Sequence, residues 1–345
     1  MKLLITGGAG FVGARLARSV LKKGTLGGQP VERLVIADQF PPPGDLAADP
    51  RVEARTGALL AQCASFAADR FDGVFHLASA VSGECEADFE LGLRSNLDST
   101  RALLDALRAG VAQGGKVPRF VFSSSVAVYG PEPSNPMPAL VRDDTLPTPQ
   151  TSYGTHKLIC EHLVADYTRK GFIEGRSARL NTVTVRPGKP NGAASSFFSG
   201  IIREPLAGQE AILPVDPSVT HPVASPASTV AGLIAVYEAT AEQLGGRAGM
   251  NLPALNVSVS QMLDALEAVA GKTTRALVKP VPDATIQRIV GGWSKGAVAA
   301  RAAKLGLEPD RAFTDIVLQY IHDNPGAVTE QAKAAAANYE RSRGA

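Results

Sequence analysis

TGGAGFVG occupies residues 6–13, directly after the apolar run Leu3-Leu4-Ile5 and directly before an amphipathic stretch. Its glycines satisfy both GxGxxG and GxxGxxG, and each pattern ends at Gly13. Side chains at these positions would block a tight turn and the approach of a pyrophosphate to backbone N–H groups. A helix that begins near Phe11 adds the positive end of its dipole. The position at the first strand–helix junction therefore predicts a dinucleotide cradle and not an ordinary tight turn.

Short apolar runs alternate with amphipathic stretches along the first half of the chain. In order, they are residues 3–6, 11–23, 34–38, 73–78, 89–109, 119–124 and 152–170. This βαβ rhythm predicts an α/β protein with a Rossmann-like, doubly wound parallel sheet that is covered by helices on both faces. A further apolar run at residues 181–186 predicts one more strand.

Asp38 ends the second of these apolar runs, where a carboxylate accepts hydrogen bonds from the ribose hydroxyls of adenosine. Gln39 follows it, and no Arg stands beside it. A phosphate on that ribose would meet negative charge, so the pattern predicts NAD as the cofactor in preference to NADP. The alternative is that Asp38 only caps a loop.

The alternation of apolar runs and amphipathic stretches ends near residue 188, which predicts that the chain divides into two domains there. We expect residues 1–187 to form the NAD-binding Rossmann domain, with a segment at about 227–245 returning to its sheet. Residues 188–226 and 246–345 are expected to form a smaller, substrate-side domain. Six prolines between Tyr129 and Gln150 exclude a continuous helix or central strand and predict an ordered loop. No function is assigned to the Ala-rich tail at residues 326–345.

The composition argues against several classes of binding partner. Lys and Arg total 35 against 33 Asp and Glu, and no basic stripe with interleaved aromatics is present, so nucleic acid is not expected as a partner. Cys63, Cys85 and Cys160 are widely spaced, which indicates reduced thiols and argues against a metal site. No apolar run approaches the roughly 18 residues that span a bilayer, and the amino terminus lacks a signal-peptide core. We therefore expect a soluble, cytoplasmic protein with no membrane partner.

Tyr153 and Lys157 stand four residues apart in a helical stretch, so their side chains leave the same face of the helix. A nearby ammonium eases the ionisation of a phenol, whose pKa is ordinarily about 10. The spacing alone is weak evidence, because chance supplies such a pair in roughly one chain in five. With Ser125 at the end of an apolar run and the cradle upstream, the pair predicts a centre that oxidises a hydroxyl group.

Six features together resemble the extended short-chain dehydrogenase/reductase family, over most of the first 190 residues. They are TGGAGFVG, Asp38, FHLASA at residues 75–80, Asn96, FVFSSSVAVYG at residues 120–130 and YGTHK at residues 153–157. The resemblance implies that Ser125 hydrogen-bonds the reacting hydroxyl and that Tyr153 is the general base. It implies that Lys157 holds the nicotinamide ribose and lowers the pKa of Tyr153, while Asn96 supports the site from its helix.

The resemblance also implies two sets of binding residues. Those for the cofactor are Gly7, Gly10, Phe11, Val12, Gly13, Asp38, Leu77, Ala78, Ser125, Tyr153, Lys157 and Pro187. Those for the substrate are Ser82, Ser125, Tyr153, Lys189, Asn191 and Arg203. Lys189 and Arg203 are the candidates to meet a carboxylate. The alternatives are a solvated Lys189 and an Arg203 that pairs with Glu204 or a partner subunit.

Three segments resemble a narrower group in the family, which oxidises the C2 hydroxyl of a four-carbon sugar acid. They are residues 81–96, residues 184–208 and the beginning of residues 153–172. The implied reaction is NAD-dependent oxidation of that hydroxyl in a small sugar acid, without a metal. Three departures leave the fine choice of substrate open: Ala58 stands where the wider family has an adenine-binding Asp, and the group's Trp near Pro222 and Arg near Ala227 are absent.

Two other functions stay open. One is a nucleotide-sugar epimerase or dehydratase that uses the same triad and retains NAD, although residues 218–228 lack the Arg with which epimerases grip a pyrophosphate. The other is a noncatalytic NAD-sensing module, which would have no need of a tuned phenol.

The two longest helical stretches, residues 89–109 and 152–170, suggest a homodimer, because helices of that length often expose an apolar stripe. Among the histidines, we expect His76, His156 and His162 to pack within core elements, whereas the role of His221 stays open.

Overall fold

The computed structural model describes residues 1–189 and 193–343, which form alternating strands and helices. The strands are β1 (Lys2–Thr6), β2 (Thr25–Leu26), β3 (Gln29–Pro30), β4 (Arg33–Asp38), β5 (Val52–Thr56), β6 (Gly73–His76), β7 (Arg119–Ser125), β8 (Leu140–Val141), β9 (Glu174–Leu180), β10 (Thr182–Val183), β11 (Ala211–Leu213), β12 (Thr220–Ala224), β13 (Met250–Asn251), β14 (Leu255–Ser258), β15 (Val278–Pro280) and β16 (Gly296–Ala297).

The α-helices are α1 (Phe11–Lys23), α2 (Gly44–Ala47), α3 (Leu59–Gln62), α4 (Ser82–Ala87), α5 (Phe89–Gly92), α6 (Ser99–Ala112), α7 (Ser152–Arg169), α8 (Ser196–Leu206), α9 (Pro226–Glu238), α10 (Ala241–Leu244), α11 (Val259–Ala270), α12 (Lys272–Arg275), α13 (Ala284–Gly291), α14 (Ala300–Ala303), α15 (Phe313–Asp323) and α16 (Glu330–Arg343). Turns of 3₁₀-helix lie at Cys63–Asp69, Val126–Val128 and Pro325–Ala327, and a π-helical turn lies at Leu93–Asp98.

Seven strands form one parallel sheet in the order β13-β9-β7-β6-β1-β4-β5. The chain moves to one side of β1 through β4 and to the other side through β6, so the carboxyl end of β1 lies at the topological switch point. A crevice at that point is the usual ligand site of open α/β sheets. The predicted α/β, Rossmann-like doubly wound sheet is therefore confirmed.

Helices cover both faces of this sheet. Leu3 and Ile5 of β1 pack in one buried cluster with residues of α1 and α9. Leu4 points the other way, into a cluster with residues of α6 and α7, because side chains alternate along a strand. A third cluster joins α8, α11 and α15 away from the sheet. The boundaries expected for the two domains remain a prediction.

Two predicted elements are wrong in detail. The strand expected at residues 181–186 is not the sheet strand, because β9 ends at Leu180 and only Thr182–Val183 continues, as part of a separate three-stranded sheet. The stretch at 89–109 is not one regular helix, because the π-helical turn Leu93–Asp98 interrupts it. The proline-containing segment between Tyr129 and Gln150 is largely loop, as predicted, and its two-residue strand β8 pairs with β16.

No helix among residues 1–189 and 193–343 is long and apolar enough to cross a membrane. Within the same residues, no three His, Cys, Asp or Glu side chains are grouped so that they could hold a metal ion.

Candidate active site

The glycine-rich turn joins β1 to α1 at the switch point. Gly7 has a φ of 69°, in the left-handed region that favours glycine, and a Cβ there would lie 2.7 Å from the backbone nitrogen of Ala78. A Cβ on Gly13 would lie 2.2 Å from the carbonyl oxygen of Gly7, so the first turn of α1 packs directly on the loop. The turn and the amino terminus of α1 line a large cleft, which gives the geometry that a pyrophosphate requires.

Asp38 is hydrogen-bonded to this glycine-rich turn. One of its carboxylate oxygens accepts the N–H of Ala9 across 3.0 Å, and the other accepts the N–H of Phe40 across 3.1 Å. Each carboxylate oxygen has a second lone pair that can accept a ribose hydroxyl. Asp38 therefore fixes the cradle while it lines the cleft at the end of β4.

Ser125 and Tyr153 come together because α7 approaches the end of β7 closely. Thr151 caps α7 by accepting the N–H of Gly154 across 3.0 Å. A Cβ on Gly154 would lie only 2.1 Å from the carbonyl oxygen of Ala127, two residues beyond Ser125. The glycine after Tyr153 thus permits the helix to contact the turn after the strand, and both side chains line the cleft.

Lys157 is almost completely buried beneath this site. Its ammonium donates to the carbonyl of Ser123 across 2.7 Å and lies 5.5 Å from the ring centre of Tyr153. It also lies 4.9 Å from the ring centre of Phe122. Burial lowers the pKa of Lys157 to about 8.

The pKa of Tyr153 departs in the opposite direction from the sequence prediction. Burial raises it to about 12, and hydrogen bonding to Ser125 offsets only part of that rise. The lowering of this pKa by Lys157 stays a prediction.

Asn96 supports the cleft from the π-helical turn. Its side-chain oxygen accepts the N–H of Ala80 across 2.7 Å and the hydroxyl of Ser79 across 3.1 Å. Its amide nitrogen donates to the carbonyl of Ala80 and to the sulfur of Cys85. These bonds hold the segment after β6, which lines the cleft.

A buried ion pair lies behind the serine strand. Arg179 of β9 makes two hydrogen bonds to Glu161 of α7, at 2.8 and 2.7 Å, and a third to the hydroxyl of Tyr129 at 2.6 Å. Glu161 also accepts the hydroxyl of Ser124 across 2.5 Å. The Tyr129 hydroxyl lies 2.9 Å from the side-chain oxygen of Asn251 in β13. One network therefore joins α7, three strands of the sheet and the beginning of the proline-containing loop.

The histidines differ in their burial and in their hydrogen bonds. His76 lies between the hydroxyls of Thr6 and Thr100, at 2.7 and 2.8 Å, and burial lowers its pKa to about 3. His156 is also buried, as predicted. The prediction for His162 is wrong, because its side chain is on the exposed face of α7. His221 is buried and lines the cleft.

The cleft has a volume of about 1180 Å³ and brings most of the predicted residues together. The predicted residues that line it are Gly7, Gly10, Phe11, Val12, Gly13, Asp38, Leu77, Ala78, Ser82, Ser125, Tyr153 and Lys157. Pro187, Lys189 and Arg203 are described but are not among its lining residues. Asn191 lies outside the described residues.

Arg203 instead lies in a buried, hydrogen-bonded position and does not line the cleft. It is 5% exposed, pairs with Glu204 at 2.6 Å and donates to the carbonyl of Arg186 across 2.8 Å. Its pairing with Glu204 was one of the two alternatives that the sequence left open. Lys189 is exposed, which agrees with its alternative of a solvated side chain.

Sequence reasoning missed several residues of the cleft wall, among them Thr182, Arg186, Trp293 and Ser294. Arg186 had a signal, because it lies in the same segment as Lys189. The others had none, since the topology alone brings residues so distant in sequence to one wall. Pro222 and Ala227, where the chain departs from its narrower group, are not among the lining residues of this cleft.

A glycine-rich turn at the switch point, the carboxylate of Asp38 and the group of Ser125, Tyr153 and Lys157 line one cleft, which is the arrangement of an NAD-dependent oxidoreductase. The chain belongs to the NAD dependent epimerase/dehydratase family, whose model matches residues 3–221. The predictions of an enzyme and of NAD as its cofactor are thus confirmed, and the noncatalytic NAD-sensing alternative is set aside.

The chain is similar to individual members over nearly its whole length. It is 47% identical to D-erythronate dehydrogenase from Cupriavidus necator, with 94% of this chain and 98% of that protein covered. It is 38% identical to D-erythronate dehydrogenase from Haemophilus influenzae, with 93% and 99% covered. The crystal structure of the nucleoside-diphosphate-sugar epimerase from Agrobacterium tumefaciens has a TM-score of 0.89, 43% identity and 95% coverage of both chains. The predicted likeness to the narrower group is therefore confirmed.

Proposed function

We propose that this protein oxidises the C2 hydroxyl of a small sugar acid with NAD, and that D-erythronate is the substrate and 2-oxo-erythronate the product. The observation that carries the proposal is the placement of Ser125, Tyr153 and Lys157 in the wall of a cleft whose other end is the dinucleotide cradle. The names of the two relatives that match over nearly the full chain supply the substrate.

Each residue has a separate task in this proposal. Ser125 accepts or donates a hydrogen bond at the C2 oxygen and so orients the hydroxyl. Ionised Tyr153 removes the hydroxyl proton. Lys157, held by Ser123, supplies the positive charge that stabilises the phenolate once the site is filled. NAD held in the cleft would supply the acceptor for the hydride that leaves C2.

Cofactor binding itself has a clear basis in the same cleft. We propose that residues 7–13 hold the pyrophosphate, that Asp38 holds the adenosine ribose, and that Leu77 and Ala78 line the nicotinamide side. Pro187, which follows the cleft residue Arg186 directly, is retained as a proposed cofactor contact.

The substrate carboxylate requires a cation. We propose Arg186, because it lines the cleft on the substrate side and its backbone is clamped by α8. Its N–H donates to Ser199 across 2.9 Å, and its carbonyl accepts Arg203 across 2.8 Å. Burial and the neighbouring Arg203 lower the pKa of Arg186, and the carboxylate of Glu84 offsets only part of this, so the site favours an anionic ligand. Lys189, three residues further along the chain, is retained as the alternative cation, and Ser82 as a further substrate contact.

One assay tests the reaction. The purified protein is mixed with NAD and a panel of four- to six-carbon aldonic acids, and NADH formation is followed by absorbance. We expect NADH with D-erythronate and a 2-oxo acid as product, identified by mass spectrometry. Absence of NADH with every aldonic acid would contradict the proposal.

A nucleotide-sugar epimerase is the second candidate, because the similar structure from Agrobacterium tumefaciens is described as one. It would retain NAD tightly and release no net NADH. The same panel therefore includes UDP- and GDP-sugars, and interconversion of a nucleotide sugar without NADH formation would favour this candidate.

We also propose a homodimer through α7 and the segment that begins with α5. Ile159 on α7 is 39% exposed, and Phe89 at the start of α5 is 58% exposed. Light scattering tests this directly, since a monomer mass in solution would contradict it. A cytoplasmic location remains a prediction.

A further inference from the structure

The substrate side of the cleft contains a histidine whose surroundings suit a neutral ligand. His221, on β12, is 4% exposed, and its Nε2 lies 2.7 Å from the hydroxyl oxygen of Thr182. Its other ring nitrogen, Nδ1, makes no hydrogen bond of ordinary geometry among the described residues, although the backbone of Ser294 approaches the ring. Buried polar atoms are nearly always paired, so an unpaired one in the wall of a cleft calls for an explanation.

The position of this histidine relative to the reacting centre follows from the sheet register. Ser125 at the end of β7 pairs with Leu180 at the end of β9, and Thr182 follows two residues later. Thr182 therefore lies just beyond the carboxyl end of β9, two residues after the register partner of Ser125. Through Thr182, His221 is linked to the same edge of the sheet.

The aromatic side chains around His221 and its burial keep the imidazole uncharged. The imidazole of His221 stacks on the ring of Phe198 at 4.8 Å and contacts the ring of Trp293 at 5.2 Å. Burial lowers the pKa of His221 to about 4, and interaction with the Ser294 backbone offsets only part of this. The imidazole is thus neutral near pH 7 and does not serve as the partner of a carboxylate.

We propose that Thr182, His221 and Trp293 form the subsite for the carbon tail of the sugar acid, where His221 Nδ1 hydrogen-bonds a hydroxyl beyond C2. A neutral ring nitrogen and a threonine hydroxyl match the alternating donor and acceptor character of a polyol. The half-buried indole of Trp293 covers the carbon chain. This places the tail on the β12 side of the cleft and the carboxylate towards Arg186. The proposal rests on the proposed function, because it takes the substrate to be an aldonic acid.

Two variants of His221 distinguish the roles of its two ring nitrogens. His221→Gln places its amide where Nε2 stands and loses the group at Nδ1, whereas His221→Asn places its amide near Nδ1. Each is assayed with D-erythronate and with a four-carbon 2-hydroxy acid of the same C2 configuration that lacks the C3 and C4 hydroxyls. His162→Gln, on the exposed face of α7, is the matched control.

We expect His221→Gln to lower kcat/KM for D-erythronate by about 10- to 100-fold, the usual effect of leaving one polar group of a bound ligand unpaired. The deoxy acid should change by less than about threefold, and His221→Asn should recover part of the loss. Equal losses for both acids in His221→Gln would overturn the proposal, since they would show a structural role.

A second readout does not depend on turnover. Trp293 is the only tryptophan of the chain and lies against His221, so its fluorescence should respond to D-erythronate with a saturable curve that His221→Gln weakens. Saturable binding without NADH formation would defeat the proposed oxidation and leave the subsite standing. NADH formation with unchanged Trp293 fluorescence would defeat the subsite and leave the oxidation standing.

Discussion

The ammonium of Lys157 donates to the backbone carbonyl of Ser123 across 2.7 Å, which anchors the lysine to the strand that ends at Ser125. The same strand and the helix of Lys157 thus position the serine, the phenol and the cation as one unit. The phenol is nevertheless harder to ionise than a free tyrosine, because it is buried. In the proposed mechanism, bound NAD and substrate would supply part of the stabilisation of the phenolate.

Tyr153→Phe should lower kcat for sugar-acid oxidation by at least about 100-fold, because a general base typically contributes that much or more. The Kd for NAD, measured by fluorescence titration, should remain within about threefold, since the ring is retained. Tyr167→Phe is the matched control on the same helix, where the hydroxyl donates to Asp105. Retained oxidation in Tyr153→Phe would contradict the mechanism.

Lys157→Met should change how stability depends on pH. In the wild type the pKa of Lys157 is about 8 when folded, against 10.5 for an ordinary lysine, so the unfolded chain binds more protons between these values. The free energy of unfolding therefore gains a component that increases with pH in this window. Urea unfolding at several pH values should show that component in the wild type and not in Lys157→Met. The exposed Lys116→Met is the control, and identical pH profiles for wild type and Lys157→Met would contradict the assignment.

Two replacements of Asp38 should weaken NAD binding to different extents. Asp38→Ala removes the acceptors of the Ala9 and Phe40 N–H groups, so we expect KM for NAD to increase by about tenfold or more. Asp38→Asn retains one oxygen and should show a smaller increase. The wild type should turn over faster with NAD than with NADP at equal concentration. Faster turnover with NADP would show that Asp38 does not hold the ribose.

Arg186→Met and Lys189→Met distinguish the two cations proposed for the carboxylate. Truncation of the correct one should raise KM for D-erythronate by about 10- to 100-fold, because a charge-assisted hydrogen bond is lost. We expect this effect for Arg186→Met and a change below about threefold for Lys189→Met. The reverse result would transfer the role to Lys189, and an unchanged KM for NAD in both variants is the control for cofactor binding.

His76 should make the fold sensitive to acid. The pKa of His76 is about 3 in the folded protein, against 6.5 for an ordinary histidine. As the pH falls below 6.5, the unfolded chain therefore binds more protons than the folded protein, and the folded protein becomes less stable. One such group removes about 2 kcal/mol of stability between pH 6.5 and 5. His76→Asn should reduce the steepness of the acid limb in chemical unfolding, whereas His162→Asn should not. Equal acid limbs in the wild type and His76→Asn would rule this out.

The sequence predicted the sheet because β1, β4, β6 and β7 consist largely of apolar residues next to recognisable helices. It missed β9, whose sequence EGRSARL contains two arginines. Arg179 is tolerated in a central position only because Glu161 and Tyr129, far apart in the chain, neutralise and hydrogen-bond it. A local pattern carries no information about such partners.

The same limit applies to the site. The cradle and the pair of Tyr153 and Lys157 are local motifs, and the structure places them as predicted in one cleft. Arg203 belongs to an unusual segment and was assigned to the substrate on that basis, yet it is buried behind Arg186. His221 and Trp293 join the wall through the packing of β12 and the segment after α13.

The buried pair of Arg179 and Glu161 has a consequence for how the chain folds. Its network is complete only when Tyr129 and Asn251 are both in place, and Asn251 belongs to β13, which enters the sheet more than 60 residues after β9. A fragment that ends near residue 190 would leave this part of the network and the β13 edge of the sheet open. We therefore expect the nucleotide-binding half not to fold as an autonomous unit and the enzyme to unfold in a single cooperative transition.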